Sequence, residues 1–340
     1  MSVTNQPPVI SRARLGDVED ILEFIQTDWR ADHYFVKNPD FFLYHYRESD
    51  SALNFILARD QGVLIGILGF INNQVSGENA DIVLSLWKVR KNADPSLGIK
   101  MLNFLQEQLK SASVSCTGIN AKTIPIYKFL GFQTGRMNTY CLVNPNCCEF
   151  KILSGDVSKL VTAANSVVAK QTPGFFLKIT DRDSLKSLLA KLKDASRPAK
   201  SLSYFYWRYF DHPVFKYTGY SLVKDEKTLI IFTRKIQSEY GDLLRIVDLY
   251  GDRDLLKFVT PHLLKILKDE NIEYVELVVG GAFDDAILET GFVDVRLFDQ
   301  LIMPLYFQPF VRNNIDIFYF TSLTANPVLF LGDGDQDRPN

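Results

Sequence analysis

Read from its start, the chain alternates short apolar runs with amphipathic ones. Val9-Ile10-Ser11-Arg12-Ala13 reads as a strand. Val18, Ile21, Leu22, Phe24 and Ile25, following Gly16-Asp17, read as a capped amphipathic helix with acidic residues in its first turn. Leu53 to Ala58 and Val63 to Ile71 flank Asp60-Gln61-Gly62, the pattern of two strands joined by a hairpin turn. Ile82 to Trp87 is a further strand, Lys91 to Leu97 a loop, and Ile99 to Leu109 carries helical spacing. Another strand, helix and strand complete this half by Val143.

The same order recurs after roughly 160 residues, a period that points to duplication of a whole domain rather than to a solenoid. Arg14-Leu15-Gly16-Asp17 before a helix is echoed by Ile179-Thr180-Asp181-Arg182 before Leu185, Leu188 and Leu189. Tyr46-Arg47 is echoed by Trp207-Arg208, Val83-Leu84 by Arg245-Ile246-Val247, and Leu130-Gly131-Phe132 by Thr290-Gly291-Phe292. The expected fold class is therefore α/β (α+β), with two tandem mixed β-sheet domains and flanking helices. Asn144-Pro145-Asn146 favours a turn and marks the join. The expected division is 9–146, 147–325 and an Asp-rich, solvated tail over 326–340.

A length of 340 residues suits two domains, and 46% apolar with 23% charged residues suits packed cores. Lys+Arg of 38 against Asp+Glu of 40 leaves a net charge of -2, so no global basic field draws the chain to nucleic acid or anionic lipid. No apolar run reaches the ~20 residues of a membrane span, and the start carries neither basic leader nor hydrophobic signal, so a cytoplasmic location is expected. Cys116, Cys141, Cys147 and Cys148 read as reduced structural thiols, with no metal site. The 25 Phe, 15 Tyr and 3 Trp imply aromatic-rich cores and an aromatic-lined pocket.

Asn120-Ala121-Lys122-Thr123-Ile124-Pro125-Ile126-Tyr127-Lys128-Phe129-Leu130-Gly131-Phe132 resembles the second signature of the GCN5-related N-acetyltransferase (GNAT) family. It lies one strand after the helix that Gly98 opens, where that family places it. The resemblance implies a sheet splayed open at its fourth strand, here Ile82 to Val89, with acetyl-coenzyme A or another acyl-CoA in the gap. Backbone N–H groups around Leu86, Trp87 and Lys88 would then face the pantetheine arm and the oxyanion. In the phosphate loop, Gly98 matches the last glycine, Ser96 replaces an earlier one, and Arg90, Lys91 and Lys100 are the nearby basic side chains. Tyr127 matches the tyrosine that protonates the departing thiolate. Asn120 is placed either to hydrogen-bond the cofactor arm or to cap the helix. The second copy has Ile287 where the first has Tyr127, and acidic Asp248, Asp252 and Asp254 where phosphate would sit, so it reads as degenerate.

An amine nucleophile must lose a proton, and His33, after the first helix, or a water is the expected base. Trp29 and His45 are expected substrate contacts, since aromatic and imidazole groups suit a polar ring. His212 is expected to shape a turn, and His262 to be structural. Asp335 and Asp337 are expected either in a solvated tail or, if the tail folds back, against a cationic amine. The tandem arrangement resembles two-domain GNAT proteins of bacterial surface-polysaccharide genes, which implies transfer to an amino sugar or sugar nucleotide. Alternatives are a different donor, such as an aminoacyl carrier, or a duplicated module that binds without turnover.

Overall fold

A computed structural model describes residues 7–73, 80–168, 175–192, 198–281, 285–324, 326–334 and 336–339. The first half opens with strand β1 (Val9–Arg14) and helices α1 (Val18–Asp28), α2 (Tyr34–Lys37) and α3 (Pro39–Tyr46). Ile21, Phe24 and Ile25 repeat at helical spacing and form the buried face of α1. The side chain of Asn38 accepts from Phe41 N–H at 3.1 Å and Pro39 fixes the first turn, so α3 starts there. Strands β2 (Ala52–Asp60), β3 (Val63–Asn72) and β4 (Asp81–Val89), helix α4 (Leu97–Leu109), β5 (Ser113–Ile119), helix α5 (Ile124–Phe129) and strands β6 (Gln133–Arg136) and β7 (Asn138–Val143) follow.

The second half repeats the plan: helix α6 (Ser158–Val168), β8 (Phe175–Ile179), α7 (Arg182–Leu189), α8 (Leu202–Phe205), β9 (Tyr217–Lys224), β10 (Lys227–Ser238), β11 (Gly241–Gly251), α9 (Thr260–Asp269), β12 (Tyr274–Gly281) and β13 (Val293–Asp294). Strands β14 (Phe318–Thr321) and β15 (Val328–Phe330) close the chain.

The two mixed sheets exchange their last strands. The first runs β1-β2-β3-β4-β5-β14-β6, and the second β13-β7-β12-β11-β10-β9-β8 with β15 also on β12. Strand β7 pairs with β12 from Asn138 to Val143, while β14 lies between β5 and β6. The expected division at residue 146 is corrected accordingly: β7 belongs to the second sheet and β14 to the first. Side chains explain the exchange. Phe320 of β14 stacks on Tyr127 at 4.1 Å and on Phe132 at 5.2 Å, completing the core of the first half. Tyr140, Cys141 and Leu142 of β7 pack into the core of the second.

Both sheets splay at the same place. Strand β4 pairs in parallel with β5 only from Asp81↔Ser113 to Leu84↔Cys116, then runs on to Val89 paired with β3 only. A bulge sets Ser85 and Leu86 of β4 against the single Gly69 of β3 and turns the strand away. In the second sheet, β11 leaves β12 after Ile246↔Leu277, with a bulge at Val247. There the opening is filled by the chain itself. Strand β15 pairs with β12 at Val279 to Gly281, and Gly332 N–H bonds the Val247 carbonyl at 2.8 Å.

The segment expected as a solvated tail is therefore a buried connector that leaves the second splay and crosses to the first. Asp333 and Asp337 are fully buried. Lys200 pairs with Asp248 at 2.7 Å and Asp333 at 2.8 Å, and Arg245 pairs with Glu276 at 2.6 Å. Asp337 accepts from Arg234 Nε at 3.0 Å, Arg245 Nη1 at 3.2 Å and Tyr217 OH at 2.9 Å. Buried Arg208 donates to the Gly332 and Asp337 carbonyls. Four cations, Lys200, Arg208, Arg234 and Arg245, thus face four carboxylates, Asp248, Asp333, Asp337 and Glu276, which is what lets such charge sit inside protein.

Candidate active site at the first splay

The open half of β4 gathers most residues singled out on the donor side. From Ser85 to Val89 no strand pairs with its β5-facing edge, so the backbone groups of this segment that do not bond β3 remain for a ligand. The Leu86 side chain is buried toward α1 and α3. The Trp87 indole lies on the opposite face, against Gly98 at the start of α4 and 6.0 Å from the Tyr127 ring. Tyr127 is buried, with its hydroxyl bonded to Thr123, and burial pushes its pKa up, so it stays protonated across neutral pH. Asn120 resolves as a cap: its side-chain oxygen accepts from Lys122 N–H at 2.9 Å.

The first turn of α4 already holds an anion. The Asp94 carboxylate accepts from Ser96 N–H and Ser96 Oγ at 2.8 Å and from Lys100 Nζ at 2.7 Å. The Lys100 hydrogen bond, then those of Ser96, hold its pKa down at about 2. Arg90 pairs with Asp28 at 3.1 Å and covers the Phe24 ring, and Lys91 is exposed in the turn. Of the groups expected to hold pyrophosphate, Arg90, Ser96 and Lys100 are thus already paired within the protein. Asp94 lies at the surface, so swinging it outward frees the α4 N-terminus and Lys100 together. Sequence reading missed this carboxylate, although Asp-Pro-Ser before a helix is a turn-and-cap signal.

On the other side of the sheet, the connector forms the wall. Gln336 donates to the Thr117 carbonyl at 3.1 Å, and Gly118 has φ of +78°, with no room for a Cβ because Gln336 would lie 2.2 Å away. Next to it a cavity of about 210 Å³ is lined by Gly118, Ile119, Tyr306, Asp316, Gln336 and Arg338. It shares Tyr306, Gln336 and Arg338 with a second cavity of about 250 Å³ that is lined further by Phe215, Arg234 and Phe307. The two adjoin at these shared residues to make a groove whose smaller part reaches Gly118 and Ile119 at the end of β5. Gln336, Arg338 and Tyr306 carried no local sequence signal, because only the exchanged topology brings them here.

The histidines behave differently from expectation. His33 is buried beside Phe35, at 5.1 Å, and Arg338 lies over the same ring at 5.5 Å. Its Nδ1 accepts from Phe35 N–H at 3.2 Å, and burial followed by Arg338 pushes its pKa down to about 3. A neutral imidazole whose Nδ1 accepts must carry its proton on Nε2, so the remaining nitrogen is a donor. The role of base expected for His33 is corrected on that ground. His212 shapes its turn as expected, its Nδ1 accepting from Phe215 N–H at 2.8 Å, and His262 stacks on Phe176 at 4.6 Å. His45 is fully buried, and neither of its ring nitrogens has a hydrogen-bond partner. It lines a separate cavity of about 300 Å³ between α3 and Trp207, whose indole N–H bonds the Tyr44 carbonyl at 3.1 Å. Trp29 is partly exposed, 6.3 Å from His33.

Asp337, expected against a cationic substrate, is consumed by Arg234 and Arg245, and that expectation is corrected. Asp335 lies outside the described residues.

No protein-family model matches the sequence, and no curated protein matches it. Solved structures do match the fold. A GCN5-related N-acetyltransferase from Anabaena variabilis aligns over 92% of this chain and 72% of its own at 8% identity, TM-score 0.54. One from Kribbella flavida aligns over 94% and 72% at 7% identity, TM-score 0.51. A Pyrococcus horikoshii protein described as a candidate acetyltransferase aligns over 98% and 96% at 11% identity, TM-score 0.51. At such identities the likeness is one of architecture: the chain has a tandem GNAT-like fold, with its first splay open and its second filled by β15.

Proposed function

We propose that this protein is an acyl-CoA-dependent N-acyltransferase whose single reaction centre is the apex of the β4–β5 splay. The observation that carries the reading is that β4 loses its β5 partner after Leu84 while the equivalent opening beside β11 is closed by the chain itself. The thioester supplies an activated acyl group. Backbone N–H groups of the bulged β4 segment would hold the carbonyl oxygen as charge develops on it. The amine nitrogen attacks the carbonyl carbon, the C–N bond forms and the C–S bond breaks. The amine proton leaves through water in the groove, where Asp316 is the lining carboxylate, and the Tyr127 hydroxyl protonates the thiolate.

The acceptor class is an amine on a polar ring, an amino sugar being the leading candidate. Phe215, Tyr306 and Phe307 interleave with Gln237, Gln308 and Gln336 along the groove, which suits a ring with apolar faces and hydroxyl edges. A role in surface-polysaccharide assembly rests on the sequence resemblance alone. A donor lacking pyrophosphate is the second reading, favoured by Asp94 at the α4 N-terminus.

Turnover of acetyl-CoA with glucosamine-type amines, followed as thiol release, tests the reading. Tyr127→Phe should lower kcat at least tenfold with little change in donor KM. Undiminished turnover in that variant removes Tyr127 from the chemistry, and absence of thiol release with every amine rejects the acyl-CoA reading.

A further inference from the structure

The groove that meets the splay is polarised along its length. At the β5 end its lining carboxylate is Asp316, paired with Arg136 at 2.9 Å. At the other end the lining contains Arg234, Lys235, Arg245 and Arg338 and, among the described residues, no carboxylate. The acids that balance Arg234 and Arg245, Asp337 and Glu276, are fully buried behind them, and Lys235 pairs with Asp242 at 3.1 Å and Glu270 at 3.3 Å outside the lining, so the groups that face the cavity itself are cationic. Arg234 is also held rigidly. Its Nε and Nη2 are engaged by Asp337, and its guanidinium lies 3.9 Å above the Phe215 ring, which fixes the plane of the fork. This concentration is local, because the whole chain has a net charge of -2.

We infer that the acceptor is an amine carrying an anionic group, a phosphate or a carboxylate, bound with its amine at the Asp316 end and its anion against Arg234, Lys235 and Arg338. The arrangement matches such a molecule twice. The ammonium is drawn toward the carboxylate at the end of β5 before it loses its proton. The anion meets an oriented guanidinium and two further cations, where ionic hydrogen bonds are stronger than neutral ones. Cavities of about 210 and 250 Å³ hold a monosaccharide-sized body with one such group. The inference rests on the acceptor groove of the reading above and narrows its substrate class.

The test is calorimetric and contains no acyl donor. Glucosamine, glucosamine 6-phosphate and a carboxylate-bearing amino sugar such as muramic acid are titrated into the full chain and into Lys235→Gln and Arg338→Gln, both at partly exposed positions. At least one anionic amine should bind ten or more times tighter than glucosamine. Each substitution should weaken that anionic amine several-fold and leave glucosamine unchanged, and added salt should erode the preference. Tighter binding of the phosphate or of the carboxylate identifies the source of the anion. Equal affinity for charged and uncharged amines, or binding indifferent to both substitutions, overturns the inference. Acyl transfer without anionic preference sinks this inference alone, whereas anion-dependent binding without thiol release from acetyl-CoA sinks the donor reading alone.

Discussion

Replacing Asp337 by Asn removes the charge at the centre of the network that holds the connector. Asp337 is 1% exposed and accepts from Arg234, Arg245 and Tyr217. Asn keeps the shape and one carbonyl acceptor, but turns an NH2 toward two guanidinium groups that then lack their shared counter-ion. Breaking a buried pair from one side typically costs about 3–5 kcal/mol. Because one acceptor survives, about 3 kcal/mol is expected, a substantial part of the ~5–15 kcal/mol that holds a domain together. If the connector detaches before the sheets unfold, the loss is limited to its docking free energy and appears as early proteolysis after Phe330. Gln336 and Arg338 would leave the groove with it, so acceptor binding should fall in parallel. Urea unfolding followed by circular dichroism, with proteolysis alongside, reads both effects. Asp269→Asn, at the exposed Lys265–Asp269 pair, serves as control and should change stability by no more than about 0.5 kcal/mol. A loss below about 1 kcal/mol for Asp337→Asn, with an intact connector, refutes the network's role.

Two further outcomes follow from the geometry. His33, His45 and His212 all have pKa values lowered from 6.5, first by burial, so the unfolded chain binds more protons than the folded one below that value. Their contribution is fully present above pH 6.5 and is lost as pH falls toward about 3; a melting temperature that stays flat from neutrality to pH ~5, or a decline that His45→Gln leaves untouched, contradicts it. Asp94→Asn removes the carboxylate that competes for the α4 N-terminus and for Lys100, so acetyl-CoA should bind several-fold tighter. Weaker binding would mean that Asp94 organises the loop for the donor rather than blocking it.

The tandem plan was legible because period and motif are local properties. The hairpin around Asp60-Gln61-Gly62, the helix after Gly16-Asp17 and the Asn120-to-Phe132 segment stand where their patterns place them. The exchange of β7 and β14 was not, since an apolar strand such as Asn138–Val143 fits either sheet until its neighbours are known. The tail misled for a related reason. Its alternating aspartates look solvated in isolation, and only Lys200, Arg234 and Arg245, distant in sequence, make their burial affordable. On the donor side the backbone of β4, Gly98 and Tyr127 converge as expected, whereas the state of His33 turned on one N–H from Phe35 that no residue pattern announces.

The most direct test of the account is the stoichiometry of acetyl-CoA binding by isothermal titration, in the wild-type chain and in Gly98→Glu. A Cβ at Gly98 meets Trp87 no closer than 3.5 Å, so the fold accepts the substitution while a second carboxylate enters the pyrophosphate position. One site per chain, weakened tenfold or more by Gly98→Glu, is the predicted result. Two sites, a single site indifferent to Gly98→Glu, or no binding would contradict a reaction centre built on the first splay.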